Sequence, residues 1–262
     1  MPDFKEMGTR VARVLKEAIF PTKCSVCDAF FPPPQQVDLY ENNLHDMTFQ
    51  KVMAPFLCPN CLPGFSPLET PIYGKELIPP RRFRLALALG EYEKEQESFA
   101  AAIRSFKYNE DIRLARPFGM LLFCAFIRHW DKGDIDIVMP VPLHIRRLRK
   151  RGFNQAYVLI RKWPRMAKSL NTDLSHIQIK RNVLVRTKNT IQQATLKSQA
   201  ERMENIKDAF SIKKSSEIKG KRILLVDDVY TTGATSDECA KVLLNNGAEY
   251  VDILSLAKTV KN

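Results

Sequence analysis

No apolar run in the 262-residue chain approaches the roughly 20 residues that a bilayer-spanning helix needs. The first twenty residues, MPDFKEMGTRVARVLKEAIF, lack the unbroken apolar core of a signal peptide, because Asp3 and Glu6 interrupt them. They read as an amphipathic helix, and a cytoplasmic protein is expected. There is no internal repeat and no low-complexity tract. The G-x-x-x-x-G-K-[S/T] loop of nucleotide hydrolases is missing, since Gly220-Lys221, ahead of a predicted strand, is followed by Arg222. The four histidines are scattered, with only His144 in a candidate ligand loop. No side chain stands out as a general acid or base, and no base-specificity hood is evident. The last two absences favour binding over catalysis.

Acidic residues are scarce in one particular place. Lys and Arg total 41 against 29 Asp and Glu, a net charge of +12. Between Asp136 and Glu201 the sole acid is Asp173, while the same span holds fourteen Lys or Arg. A local excess of this kind marks a surface for a polyanion more firmly than the overall charge does.

Four of the six cysteines fall into two pairs, Cys24-x-x-Cys27 and Cys58-x-x-Cys61. The sequence around them is rich in proline and poor in periodicity, so residues 21–80 read as a small irregular module behind one helix. Four thiolates suit one tetrahedral, structural Zn²⁺; disulfides are the rival reading, disfavoured in a cytosolic chain. Cys124 and Cys239 sit in helical patterns, and Trp130 and Trp163 read as packing residues.

From Arg84 onward, strand and helix patterns alternate. RLALALGEY, IDIVMPV, RILLV and YVDILSLA read as strands. QESFAAAIRSFKY, LARPFGMLLFCAFIRHW, LKSQAERMENI and SDECAKVLLNNGA read as helices, and GFNQAYVLIRKWPRMAKSL as a helix that Pro164 must end or kink. Such alternation predicts an α/β fold with a mostly parallel sheet covered on both faces. The expected division is residues 1–80 for helix and module and 81–262 for the α/β domain.

The stretch ILLVDDVYTTGAT carries the clearest chemistry. A buried strand ends in Asp227 and Asp228, at the edge where α/β proteins place ligands. Thr231, Thr232, Gly233, Ala234 and Thr235 follow, and a helix opens near Ser236. Its free N–H groups, with glycine and hydroxyls nearby, suit a phosphate. The carboxylates suit vicinal hydroxyls or a metal, so a ribose 5-phosphate satisfies both halves. An acidic nucleotide-hydrolase strand is the main rival; a plain strand–turn–helix leaves two acids desolvated without a partner.

A second motif, MPVPLHIRRLRKRGFNQA, follows IDIV. Pro140 and Pro142 stiffen the loop, and one of these X–Pro bonds is a candidate for cis. The cations behind it, Arg146, Arg147, Arg149, Lys150 and Arg151, then Arg161, Lys162 and Arg165, are either a solvated helix face or a phosphate-recognition surface. Phe153, Tyr157 and Trp163 could stack bases if exposed, although helical spacing points Tyr157 toward the core.

ILLVDDVYTTGAT resembles the signature by which type I phosphoribosyltransferases bind phosphoribosyl pyrophosphate (PRPP). The cysteine pairs, the RGFNQA motif and the later sequence of Arg186, Gln193, Arg202, Asn205 and Ala209-Phe210 together resemble the ComF family. The likeness runs from Cys24 nearly to the end of the chain. It implies a type I phosphoribosyltransferase-like fold with an N-terminal zinc module, working on single-stranded DNA in natural transformation alongside other DNA-uptake proteins. It also implies that Asp227 and Asp228 hold ribose hydroxyls and that residues Thr231 to Thr235 wrap the 5-phosphate. Pyrophosphate and Mg²⁺ would meet the loop Val141, Pro142, Leu143 and His144, leaving the eight cations from Arg146 to Arg165 for DNA. Transfer of ribose 5-phosphate to an acceptor, or PRPP sensing that controls DNA affinity, are the alternatives.

Overall fold

The computed structural model describes residues 22–32, 47–63, 65, 67–68, 70–92, 97–108, 111–191 and 198–259. The expected N-terminal amphipathic helix, and Gln193, lie outside them. In chain order, Thr22–Lys23 (β1) pairs antiparallel with Phe30–Phe31 (β2), and Phe49–Met53 (α1) precedes Ile72–Tyr73 (β3). Leu85–Glu91 (β4), Glu97–Tyr108 (α2), Ala115–His129 (α3) and Ile137–Pro140 (β5) follow. Next come Ile145–Arg151 (α4), Gln155–Ile160 (α5), Trp163–Ser169 (α6) and Gln178–Ile179 (β6). The last part holds Leu184–Arg186 (β7), Gln199–Ile206 (α7), Phe210–Ile212 (β8), Arg222–Tyr230 (β9), Ala234–Asn245 (α8) and Tyr250–Lys258 (β10).

Among the described residues, six strands form one sheet in the order β3-β4-β10-β9-β5-β6, and only β3 runs antiparallel to its neighbour. The central strands are largely apolar because both faces are covered, and the buried Asp252 of β10 is paired with Arg84. Leu224, Val226, Leu254 and Leu256 point into one hydrophobic cluster, and Ile223, Leu225, Val251 and Ile253 into the other. The first cluster also takes in Phe31, Met47, Val52 and Leu57 beside the cysteine module, so the described residues of that module share the core of the sheet. Helix α3 lies within this cluster and is buried along most of its length, which explains why it is apolar all round. Its Gly119 lets α5 approach: a Cβ there would lie 2.4 Å from the Leu159 carbonyl oxygen.

Several expectations need refinement. Pro164 does break the helical stretch: α5 ends at Ile160, and α6 begins at Trp163 with the proline in its first turn, where a missing N–H costs nothing. Helix α8 opens at Ala234, two residues earlier than expected. The cis X–Pro bond among the described residues is Ile78–Pro79; neither Pro140 nor Pro142 has one. The pair β7–β8 is a small antiparallel sheet of its own that, together with α7, stands beside the carboxyl edge of the main sheet. No hood was read from the sequence, yet this assembly brings Arg186 into the cleft described next.

Candidate functional site

The site grows from the register of two adjacent strands. Pro140 of β5 lies opposite Val226 of β9, and the Val141 N–H donates to the Val226 carbonyl at 2.8 Å. The next residues, the acid pair on one strand and Val141–Leu143 on the other, therefore leave the sheet side by side. One cleft at this edge is lined by both segments and by the loop into α8. This is the crevice at strand carboxyl ends where open α/β sheets bind ligands.

Asp227 and Asp228 are half-buried there. One Asp227 carboxylate oxygen accepts the Asp228 N–H at 2.8 Å, and one of Asp228 accepts the Val229 N–H at 2.7 Å. Lys107, from α2, approaches Asp228 Oδ1 at 2.9 Å. Burial first, then the neighbouring Asp228 charge, push the Asp227 carboxyl up to about 7, against the opposing pull of Lys107. Two acids this close resist simultaneous ionisation unless a cation or hydroxyl donors arrive.

The TTGAT loop alternates. Thr231, Gly233 and Thr235 line the cleft, joined by Ser236, while Ala234 is buried. Thr232 is absent from the lining, and its hydroxyl is buried without a partner. Gly233 has φ +73°, and a Cβ there would meet the Tyr230 hydroxyl at 2.3 Å, so both backbone and space demand glycine. It caps the N-terminus of α8, whose first N–H groups open toward the cleft.

Cations close the other side. Arg147 and Arg151, one helical turn apart on α4, both line the cleft. Arg186 joins them from the end of β7. Arg147 donates to the Thr190 carbonyl, and Arg186 to the Thr190 hydroxyl. Burial, then the Arg147 charge, lower Arg186 to about 10; burial, then Arg151, lower Arg147. The Arg186 Nε is buried with no partner. Guanidinium groups gathered this closely repel one another and are costly to bury, which favours a bound anion.

The structure thus divides the cations read from the sequence. Arg146, Arg149 and Lys150 share the exposed face of α4, and Arg161, Lys162 and Arg165 are exposed as well. Arg147 and Arg151 turn inward. His144 does not line the cleft; it caps α4, its Nδ1 accepting the Arg146 N–H at 3.3 Å. The aromatic residues of this segment pack. Trp163 is fully buried and donates to the Gly119 carbonyl at 3.2 Å, Phe153 lies against Phe106, and Tyr157 sits beneath the Arg181 guanidinium. None of these rings is therefore presented for base stacking.

Sequence reasoning missed Lys107, Asn154 and Gln155 as cleft residues. Asn154 donates to the Val141 carbonyl at 3.0 Å and caps α5, which fixes the loop beside the acids and accounts for the asparagine in RGFNQA. Asn205 brackets Ile191 through two 3.0 Å hydrogen bonds, holding the chain after β7. Nothing local marks Lys107.

At the other end, the Sγ atoms of Cys24, Cys27, Cys58 and Cys61 all lie within 4.8 Å of one another. Cys27 and Cys58 are 3.6 Å apart, too far for a disulfide and near the ~3.8 Å that Zn–S bonds of about 2.3 Å give in a tetrahedron. Burial pushes the Cys24 thiol up, but the N–H groups of Cys27, Cys58 and Val26 outweigh it and bring it down to about 7. The cluster has the donor set for a metal ion. Cys124 and Cys239 are buried helix residues, as their patterns predicted.

A parallel sheet with paired carboxylates at a strand end, a hydroxyl-rich loop into a helix and facing cations defines a protein of the phosphoribosyltransferase type. The phosphoribosyl transferase domain family matches residues 160–260. Competence protein F of Haemophilus influenzae is 32% identical over 166 residues, covering 62% of this chain and 69% of that protein. The DNA utilization protein YhgH of Escherichia coli K12 is 28% identical over 207 residues, covering 78% and 85%. Competence protein ComFC of Bacillus subtilis is 30% identical over 142 residues, covering 54% and 52%. The chain belongs to the ComF family, that of competence protein F. Among the described residues, no helix is long and apolar enough to cross a membrane.

Proposed function

We propose that the protein binds PRPP with Mg²⁺ in the cleft and handles single-stranded DNA on the cationic surface outside it, as part of DNA uptake in natural transformation. One observation carries this reading: a single cleft presents an acid pair, a phosphate-sized loop and a group of guanidiniums, in register with a diol, a monophosphate and a pyrophosphate. Asp227 and Asp228 take the ribose hydroxyls, Thr231 to Thr235 the 5-phosphate, and Val141 to Leu143 with Arg147, Arg151 and Arg186 the pyrophosphate. Bound Mg²⁺ would neutralise pyrophosphate charge beside these groups. The four cysteines hold a structural Zn²⁺. The names of the relatives, with their competence and DNA utilization, support the DNA-uptake half.

Helix α4 favours one elaboration, the sensing reading. Its seven residues turn Arg147 and Arg151 into the cleft and Arg146, Arg149 and Lys150 outward. A ligand that fixes the inner pair fixes the outer face too. The test is calorimetric titration of PRPP with Mg²⁺ into the wild type and into the double variant Asp227→Ala, Asp228→Ala, beside a single-strand titration with and without PRPP. The double variant should lose PRPP binding while keeping its fold; unchanged PRPP affinity rules the reading out. Pyrophosphate release during the same titration would move the protein to the transferase alternative.

A further inference from the structure

Behind the TTGAT loop lies a second layer that the reading above does not use. Arg81 and Arg82, just ahead of β4, dock on the junction between loop and helix α8. The Arg82 N–H and guanidinium both donate to the Asp237 carboxylate, at 2.6 and 2.8 Å. That carboxylate is 4% exposed and is matched by Arg82. Arg81 has no such partner. It is 8% exposed, donates to the Thr232 carbonyl at 3.1 Å, and touches the Met203 sulfur at 3.8 Å. Its Nε is buried and unsatisfied, and so is the Thr232 hydroxyl. Among the described residues it forms no ion pair. Tyr230, which the Arg81 charge reaches, places its hydroxyl against Gly233 on the same loop.

A guanidinium this buried, compensated by one carbonyl and a thioether, carries a large desolvation cost. The nearest place for a compensating anion is the loop whose backbone it holds. We propose that Arg81 is a positioning residue for the phosphate subsite: through the Thr232 carbonyl it fixes the Thr231–Thr235 loop, and from behind it supplies the positive charge that a phosphate monoester dianion completes. This rests on the reading of the cleft as a ribose 5-phosphate site and adds its hidden counter-charge. Arg81 belongs to a segment 151 residues before the loop, so no local motif joins the two.

The test uses the full chain, its Arg81→Lys and Arg81→Met variants, and two ligands titrated with Mg²⁺: PRPP, which has the 5-phosphate, and inorganic pyrophosphate, which does not. Arg81→Met should weaken PRPP about tenfold or more while pyrophosphate stays within about twofold, and Arg81→Lys, which keeps the charge but loses the fork, should fall between. Equal PRPP affinity in all three proteins overturns the inference. So does a parallel loss of PRPP and pyrophosphate, which would mean that Arg81 supports the fold and not the subsite. A wild type that binds pyrophosphate but not PRPP overturns the ribose 5-phosphate reading and this inference with it.

Discussion

Asp227 shows how a single residue links ligand binding to stability. Its carboxyl titrates near 7 in the folded chain against about 3.9 in an unfolded one, because burial and Asp228 oppose its charge. The folded state therefore binds more protons between those values, and the ligand-free protein should lose stability as pH rises from about 4 to about 7. Asp227→Asn removes that loss. At pH 8 the variant should melt higher than the wild type, by roughly 2–4 °C for each kcal/mol relieved. Thermal melts of both proteins at pH 5 and pH 8 check this; a variant that melts lower at pH 8 contradicts it. PRPP should reverse the order, since only the wild type keeps the ligand.

At the scale of elements, α4 is the most informative. Five of its seven residues are cationic, so composition alone cannot say which side faces a ligand. Position along the turn decides: 147 and 151 point one way, and 146, 149 and 150 the other. Replacing Arg146, Arg149 and Lys150 with Ala should flatten the salt dependence of single-strand binding by about 2 in log–log slope, at about 0.7 per phosphate contact. PRPP affinity should change little. Filter or fluorescence titrations over a range of salt concentrations measure the slope, and one matching wild type would place the DNA contacts elsewhere. Duplex should bind no better than single strand, because the sequence carries no recognition-helix motif for a groove.

At the scale of the whole molecule, the described residues of module and domain share one core. Phe31, Met47, Val52 and Leu57 bury into the cluster that also holds Leu224 and Val226 of the site strand β9. Loss of the metal should therefore be felt beyond the cysteines. Elemental analysis should find one Zn²⁺ per chain, and Cys58→Ser should lower both zinc content and melting temperature. An isolated finger can owe roughly 10 kcal/mol or more to its metal, but a docked module should lose less. A loss of about 3 kcal/mol would lower the melting temperature by roughly 6–12 °C in a chain of this size. A metal-free wild type with an unchanged melting curve in the variant would remove the structural role.

The sequence by itself determined the features written in consecutive residues. The uninterrupted apolar run before Asp227 announced a strand buried on both faces, the acids and TTGAT announced its ligand edge, and the spacing of the cysteine pairs announced a four-sulfur cluster. Each is a local pattern whose period or spacing follows from backbone geometry. Only the tertiary structure decided which distant side chains complete the cleft. Lys107 reaches Asp228 from α2, Arg186 arrives on β7, a short strand with no clear sequence signal, and Arg81 braces a loop far along the chain. It also sent Phe153, Tyr157 and Trp163 inward and split the cations of α4. These outcomes depend on how sheet register and helix packing orient whole elements against one another, and the period of an isolated segment does not specify that orientation.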